Sequence, residues 1–267
     1  MLLPQERNVR NPLIALDTRM IANLAMYARP ETDASLDAFW KLLCIALREN
    51  GVSAPEALSQ DAELMSVWTD PALVIGQTCG MPFRKFLHEK VQLVGTPHFD
   101  LPDCPAGYYH SAVVVRKDDT RQTLAEFAQA RLAYNEENSQ SGFSAILNHA
   151  AANGIAFADR VPSGGHANSS KMVAEGHADI ASLDAVTWKL IQRYDPWVSD
   201  LRVLEHTEPF TPALPFITSL EQDPDLIFDA LDEAITALPA TENEVLCLSG
   251  VLRLPATEYF KVPNPVA

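Results

Sequence analysis

Asn138-Ser139-Gln140-Ser141-Gly142 joins two runs of opposite character. Before it, Arg131-Leu132-Ala133-Tyr134-Asn135 reads as a strand. After it, Phe143, Ile146, Leu147, Ala150 and Ala151 recur at helical spacing, and Gly154 stands where a helix stop belongs. A strand that turns through small hydroxyl residues into a helix leaves the first N–H groups of that helix pointing into the turn, with the positive end of its dipole behind them. Two readings of the turn follow. Ser139 or Ser141 acts as an N-cap and nothing more, or the turn is an anion seat.

The strand-then-helix alternation extends outward in both directions. Ile21 to Tyr27 reads as a first strand, followed by a helix with Leu36, Phe39, Trp40, Leu43, Cys44 and Leu47 on one face and Gly51 at its end. Leu73–Gly76 and Val91–Val94 read as short strands, the second stopped by Gly95 and Pro97, and His110–Val115 as a third. Past Gly154 the pattern predicts a strand at Ile155–Phe157, a turn at Ser163–His166, a helix over 169–175 and a strand at Ala178–Ala181. Asp184 then caps a helix through Trp188 and Ile191, and Leu201–Leu204 is a further strand. Asp223-Pro224 opens the last clear helix as an N-cap followed by proline. This alternation is the pattern of an α/β fold with mainly parallel sheets.

Composition narrows the function classes. The 267 residues are 47% hydrophobic and 21% charged, the balance of an ordinary globular protein of one large or two moderate domains. A net charge of −15 argues against nucleic acid and against an anionic membrane surface as partners. Ten carboxylates and no Lys or Arg lie between Glu205 and Glu244, which reads as a solvated acidic face. No apolar stretch reaches the ~18 residues of a membrane span, so no direct membrane insertion is expected. The first residues lack a charged segment followed by an apolar one. Localisation is therefore expected to be periplasmic if a leader was trimmed and cytoplasmic if the sequence is complete as written. Four cysteines without a C-x-x-C pair speak against a zinc site and against a disulfide framework. No cofactor motif is found: G-x-G-x-x-G, a Walker A loop, H-E-x-x-H and G-x-S-x-G are all absent.

Four polar turns follow strand-like runs, at Tyr27, Thr78, Ser139–Gly142 and Asp184. In open α/β sheets ligands bind beyond the carboxyl ends of strands, and turns so distant in sequence converge only around one cleft. Hydroxyls and backbone N–H groups dominate these turns, which suits a small oxyanion held by neutral donors.

Six ordered segments then carry a family resemblance: Met26-Tyr27, Gln77–Pro82, Gly107–Ser111, Asn138–Gly142, Gly164–His166 and Leu183–Trp188. Over roughly residues 20 to 220 they resemble the phosphate/phosphite/phosphonate substrate-binding proteins of ABC transporters. The resemblance implies a type II periplasmic-binding-protein-like fold, two α/β lobes with a ligand cleft between them. One lobe would comprise 1–115 plus 205–267 and the other 116–204, with crossings near Val115 and Leu204. It also implies a non-enzymatic solute-binding protein for a phosphonate- or phosphate-like oxyanion, with an ABC permease as partner. The oxyanion would rest on Ser139, Gln140, Ser141 and the N–H of Gly142. Tyr27, Thr78 and Tyr108 or Tyr109 would face it from the other lobe, and His166 and Asp184 would complete the pocket. Asp184, or more weakly Glu175, would serve a ligand amine. Asp184 would otherwise accept a ligand proton, which favours a protonated phosphate over sulfate.

Other readings stay beside this one. Tyr27 also fits the end of a core strand, His166 a solvent-exposed turn, and Asp184 a plain N-cap. Ser139, His166 and Asp184 are the residue types of a nucleophilic triad, so a cytoplasmic enzyme or a ligand sensor on the same fold is the alternative. Cys79 and Cys104 follow strand ends in one lobe and would pair in an oxidising compartment. His149 and His177 read as surface residues, and Phe39 and Trp40 as core.

Overall fold

The computed structural model describes residues 20–60 and 62–265, and the expectation about a leader at the N-terminus lies outside these residues. Twelve strands are found among them: β1 (Ile21–Asn23), β2 (Leu73–Gln77), β3 (Val91–Phe99), β4 (Tyr108–Tyr109), β5 (Ser111–Arg116), β6 (Leu132–Tyr134), β7 (Arg160–Pro162), β8 (Ile180–Asp184), β9 (Leu201–His206), β10 (Thr211–Pro212), β11 (Phe216–Ser219) and β12 (Leu248–Leu252). They form two five-stranded sheets, ordered β1-β2-β11-β3-β12 and β7-β6-β8-β5-β9, and a ribbon of β4 with β10. Each sheet is covered by helices, giving two α/β lobes. The strands read as continuous apolar runs because both faces are covered: all five residues of β2 and the first five of β5 are buried.

The sheets are mixed where mainly parallel ones were expected. β1 with β2, β6 with β7 and β6 with β8 are parallel, whereas β11 runs antiparallel to both β2 and β3, and β5 antiparallel to both β8 and β9. β12 is antiparallel to β3 as well. β5 enters the second sheet and β9 leaves it, side by side, so the expected crossings at Val115 and Leu204 fall inside paired strands. β11 is the strand that returns to the middle of the first sheet.

In the first lobe the helix Asp33–Glu49 buries Phe39, Trp40, Leu43, Cys44 and Leu47 against the helix Pro224–Ala237, which presents Ile227, Ala230, Leu231, Ala234 and Ile235. Gly51 ends the former at φ +80, a conformation that suits glycine, and Asp223 caps the latter through the N–H groups of Asp225 and Leu226.

Several local expectations change. β3 runs on through Gly95 and Pro97 to Phe99, pairing with β11 before Thr96 and with β12 after it. Gly95 is there for proximity, since a Cβ would meet Val251 at 2.7 Å and Phe228 at 3.0 Å, and Pro97 falls in the half paired on one side only. The first strand stops at Asn23, and Ala25–Tyr27 is a single 3-10 turn. Ile155–Phe157 is not a strand. Phe157 packs into the core without ladder pairing, while the edge strand is the polar Arg160–Pro162, which carries no apolar signature. The helix expected over 169–175 begins at His166. His149 is buried rather than exposed: its Nε2 lies 2.7 Å from Glu205 Oε1, and Nδ1 accepts from the N–H of Glu208 at 3.0 Å. Cys79 and Cys104 are free thiols with different neighbours, Sγ of the first accepting the Gln140 N–H and Sγ of the second facing His110 Nδ1.

Candidate functional site

The carboxyl ends of β1, β2, β6, β7 and β8 open onto one cavity of ≈ 290 Å³. The first lobe supplies Met26, Tyr27, Cys79 and Leu214. The second supplies Asn135, Glu136, Ser139, Ser141, His166, Asn168, Asp184 and Thr187.

The opening stretch forms the floor. Leu132–Tyr134 is the strand, Ser139 the N-cap, and Gln140–Ser144 a wide π-type turn that runs straight into the helix Ala145–Ala152. Ser139 Oγ accepts the Gly142 N–H at 3.0 Å, so the capping reading holds for Ser139, a bond of about 1 kcal/mol. Cys79 Sγ accepts the Gln140 N–H at 3.2 Å from the other lobe. Ser182 Oγ donates to the Ser141 carbonyl at 2.7 Å and pins the turn to β8. Gly142 has no alternative, because a Cβ would stand 2.0 Å from Asn135 Oδ1 and 2.9 Å from His166 Cε1.

Above this floor Ser141 Oγ lies 2.9 Å from His166 Nε2. Burial pushes the His166 imidazole down to about 4, so the ring is neutral at pH 7. Asp184 is the N-cap of the helix Ala185–Tyr194: its Oδ1 accepts from the N–H of Val186 at 2.8 Å and of Thr187 at 3.0 Å. Its Oδ2 accepts from Tyr27 Oη at 3.0 Å, a bond from one lobe to the other. Burial raises the Asp184 carboxyl to about 6, against the opposing pull of these three donors, and raises the Tyr27 hydroxyl well above its ordinary value. None of the lining side chains is Lys or Arg, and a second acid, Glu136, stands exposed at the rim.

Tyr27, Ser139, Ser141, His166 and Asp184 thus line one cavity. Thr78 and Tyr109 are buried, their hydroxyls without partners; Thr78 adjoins Cys79, and Tyr109 lies beside Ser141. Ser111 Oγ, Asn135 Oδ1 and His166 Nδ1 are also buried and unpartnered, and Ser111 pairs with Asp184 across the sheet. Such orphans are uncommon and mark polar demand in this region. Gln140 and Tyr108 turn away: both line a separate cavity of ≈ 180 Å³, where Tyr108 Oη donates to Glu258, and Gln140 Oε1 accepts from Arg84. Glu175 is outside the cleft, beside Lys171 and His177. No triad forms, because Asp184 serves Tyr27 and the helix start while His166 Nδ1 has no partner. Asn135, Glu136, Asn168 and Arg84 were not foreseen. Asn135 at a strand end carried a usable signal; Arg84, in an apolar-rich helix, carried none.

Comparison with known proteins places the chain in a family. The model for "ABC transporter, phosphonate, periplasmic substrate-binding protein" matches residues 91–253, well over half of the 267-residue chain. The chain belongs to that family. The match spans Ser139–Gly142, His166 and Asp184 but not Tyr27 or Thr78. It is a substrate-binding component of an ABC transporter by family, and members of the family are solute-binding proteins. A search of curated protein sequences finds no match. Among solved structures, PhnD1 from Prochlorococcus marinus in complex with methylphosphonate is 15% identical with a TM-score of 0.69, over 91% of this chain and 95% of that one. A binding protein component of an ABC phosphonate transporter from Pseudomonas aeruginosa is 14% identical with a TM-score of 0.66, over 87% and 80% of the two chains. A Xanthomonas citri protein bound to ATP is 16% identical with a TM-score of 0.67, over 91% and 94%. At such identities these likenesses speak for the periplasmic-binding fold alone. Family membership implies a small ligand and a permease partner, and among the described residues no helix is long and apolar enough to cross a membrane.

Proposed function

We propose that the cavity holds a phosphonate or phosphate-like oxyanion in a protonated form and that the protein binds it without chemical change. The observation that carries this reading is Asp184, a buried carboxyl raised to about 6, bonded to Tyr27 and lining the same cavity as the Ser141–His166 pair, with no cation in that lining. A fully ionised oxyanion next to an ionised Asp184 is repelled, whereas one that carries a proton donates it to the carboxylate. Sulfate has no such proton at neutral pH. Ser139, Ser141 and the start of their helix, with neutral His166, serve the remaining oxygens, and Tyr27, Thr78 and Tyr109 approach from the first lobe.

In this reading the lobes are 20–110 with 207–265, and 111–206, and they close on the ligand about the strand pair β5 and β9. The bonds from Tyr27 to Asp184 and from Arg29 to Asp195 belong to the closed arrangement. The Ser141–His166 pair is not extended to a triad by Asp184, whose carboxylate is bonded to Tyr27 and to its own helix start. A thermal-shift panel of methylphosphonate, phosphite, phosphate, sulfate and acetate tests the reading. Stabilisation by the protonatable phosphorus oxyanions and not by sulfate is expected, growing with ligand as RT ln(1 + [L]/Kd). Equal stabilisation by sulfate, or none by any member, refutes it, and ligand consumed on incubation refutes the non-enzymatic part.

A further inference from the structure

Arg84 is a buried guanidinium, 8% exposed, with only neutral partners. It donates to Gln140 Oε1 at 2.6 Å, Ser144 Oγ at 3.2 Å, Asn264 Oδ1 at 2.9 Å and the Pro263 carbonyl at 3.3 Å. No carboxylate among the described residues pairs with it. A charge taken out of water is costly to hold without a counter-charge, and neutral acceptors repay part of that cost only. Two of its partners belong to the helix whose first turn is the floor of the cleft, while Arg84 itself stands in the first lobe, in the turn Phe83–Leu87. Asn148 Nδ2, one turn further along that helix, donates to the same Pro263 carbonyl at 2.9 Å. The back of the helix is thus clasped from the other lobe by one cation and one strand of chain.

We infer that Arg84 is a positioning residue for the bound oxyanion, supplying from behind the helix the positive charge that the cleft lining lacks, and supplying it only when the lobes are closed. The inference rests on the proposed oxyanion site. It explains how a cavity with two acids and no cation in its lining tolerates an anion. The ligand's charge and the Arg84 charge offset each other through the helix turn that separates them, and this mutual relief is available in the closed arrangement alone. Closure and anion binding are then coupled by one residue that need not touch the ligand.

Arg84→Gln and Arg84→Met remove the charge, and Arg84→Lys keeps it while losing the fork. Methylphosphonate is titrated calorimetrically into each and into the unmodified chain, and the ligand-free melting temperature is recorded alongside. Loss of roughly tenfold or more in affinity is expected for the two neutral variants, with the lysine variant within a few-fold of the unmodified chain. The ligand-free melting temperatures of the neutral variants should fall little, since removing an unpaired buried cation relieves its desolvation. Unchanged affinity in the neutral variants overturns the inference. So does an equal loss in all three, which is the mark of a purely structural set of hydrogen bonds. If the unmodified chain binds no phosphorus oxyanion, the site reading itself fails and this inference with it.

Discussion

Asp184→Asn isolates the electrostatic condition on which the site depends. Asparagine keeps Oδ1 as the acceptor for the Val186 and Thr187 N–H groups, and its Nδ2, in the place of Oδ2, donates to Tyr27 Oη in a bond of reversed direction, so the helix cap and the contact between lobes have a replacement. What disappears is the titration. The carboxyl stands at about 6 in the native protein against 3.8 as the ordinary value, a rise of about two units. A carboxyl raised on folding favours the native state while protonated. That advantage is complete below about pH 4, falls away as pH rises through about 6, and is absent above. At 1.36 kcal/mol per unit the whole swing is about 3 kcal/mol, of which about 2 kcal/mol falls between pH 4.5 and 7.5. Urea unfolding of both proteins across that range, without ligand, measures it, because other titrating groups are common to both and cancel in the difference. The variant should gain about 2 kcal/mol on the parent as pH rises. A difference that stays constant refutes the raised carboxyl. A parent that gains on the variant with rising pH would mean that Asp184 is a stabilised carboxylate, and the raised carboxyl would be refuted.

Three further outcomes are expected. Ser141→Ala removes the partner of His166 Nε2 and a ligand donor, and should weaken methylphosphonate binding by roughly tenfold or more in a titration, with little effect on the ligand-free protein. Gly142→Ala forces a methyl group to within 2.0 Å of Asn135 Oδ1, and should cost about 1–3 kcal/mol of stability in denaturant unfolding as well as abolishing binding. Asp195→Ala breaks the forked pair with Arg29, whose two contacts are 3.1 and 3.2 Å, and should speed ligand release several-fold in stopped-flow measurements while association changes little.

The seat helix was legible in sequence because its signals are local: small hydroxyls between a strand and a 3.6-period run, then Gly154 at φ +72. The Asp184 cap and the Asp223-Pro224 start were legible for the same reason. What the sequence did not show depends on partners far along the chain. Phe216–Ser219 has no period of its own, and only its place between β2 and β3 makes it a central strand. Gly95 looked like a stop, yet it leaves room for Val251 of β12 and Phe228 of the helix Pro224–Ala237. His149 looked exposed because its companion, Glu205, is supplied by β9. Gln140 sits inside the best motif of the chain, but its side chain follows Arg84 out of the cleft, and no spacing rule ties residue 84 to residue 140. The elements Ala240–Leu246, Leu248–Leu252 and Ala256–Phe260 went unread, since each is short and takes its stability from packing on the first lobe.

Calorimetric titration of methylphosphonate into the ligand-free protein at pH 7, in two buffers of different ionisation enthalpy, puts the central claim to its most direct test. Single-site binding with net proton uptake is expected, and the uptake should be lost in Asp184→Asn. Absence of binding, or binding with no proton uptake in the unmodified protein, would contradict a site built to hold a protonated oxyanion.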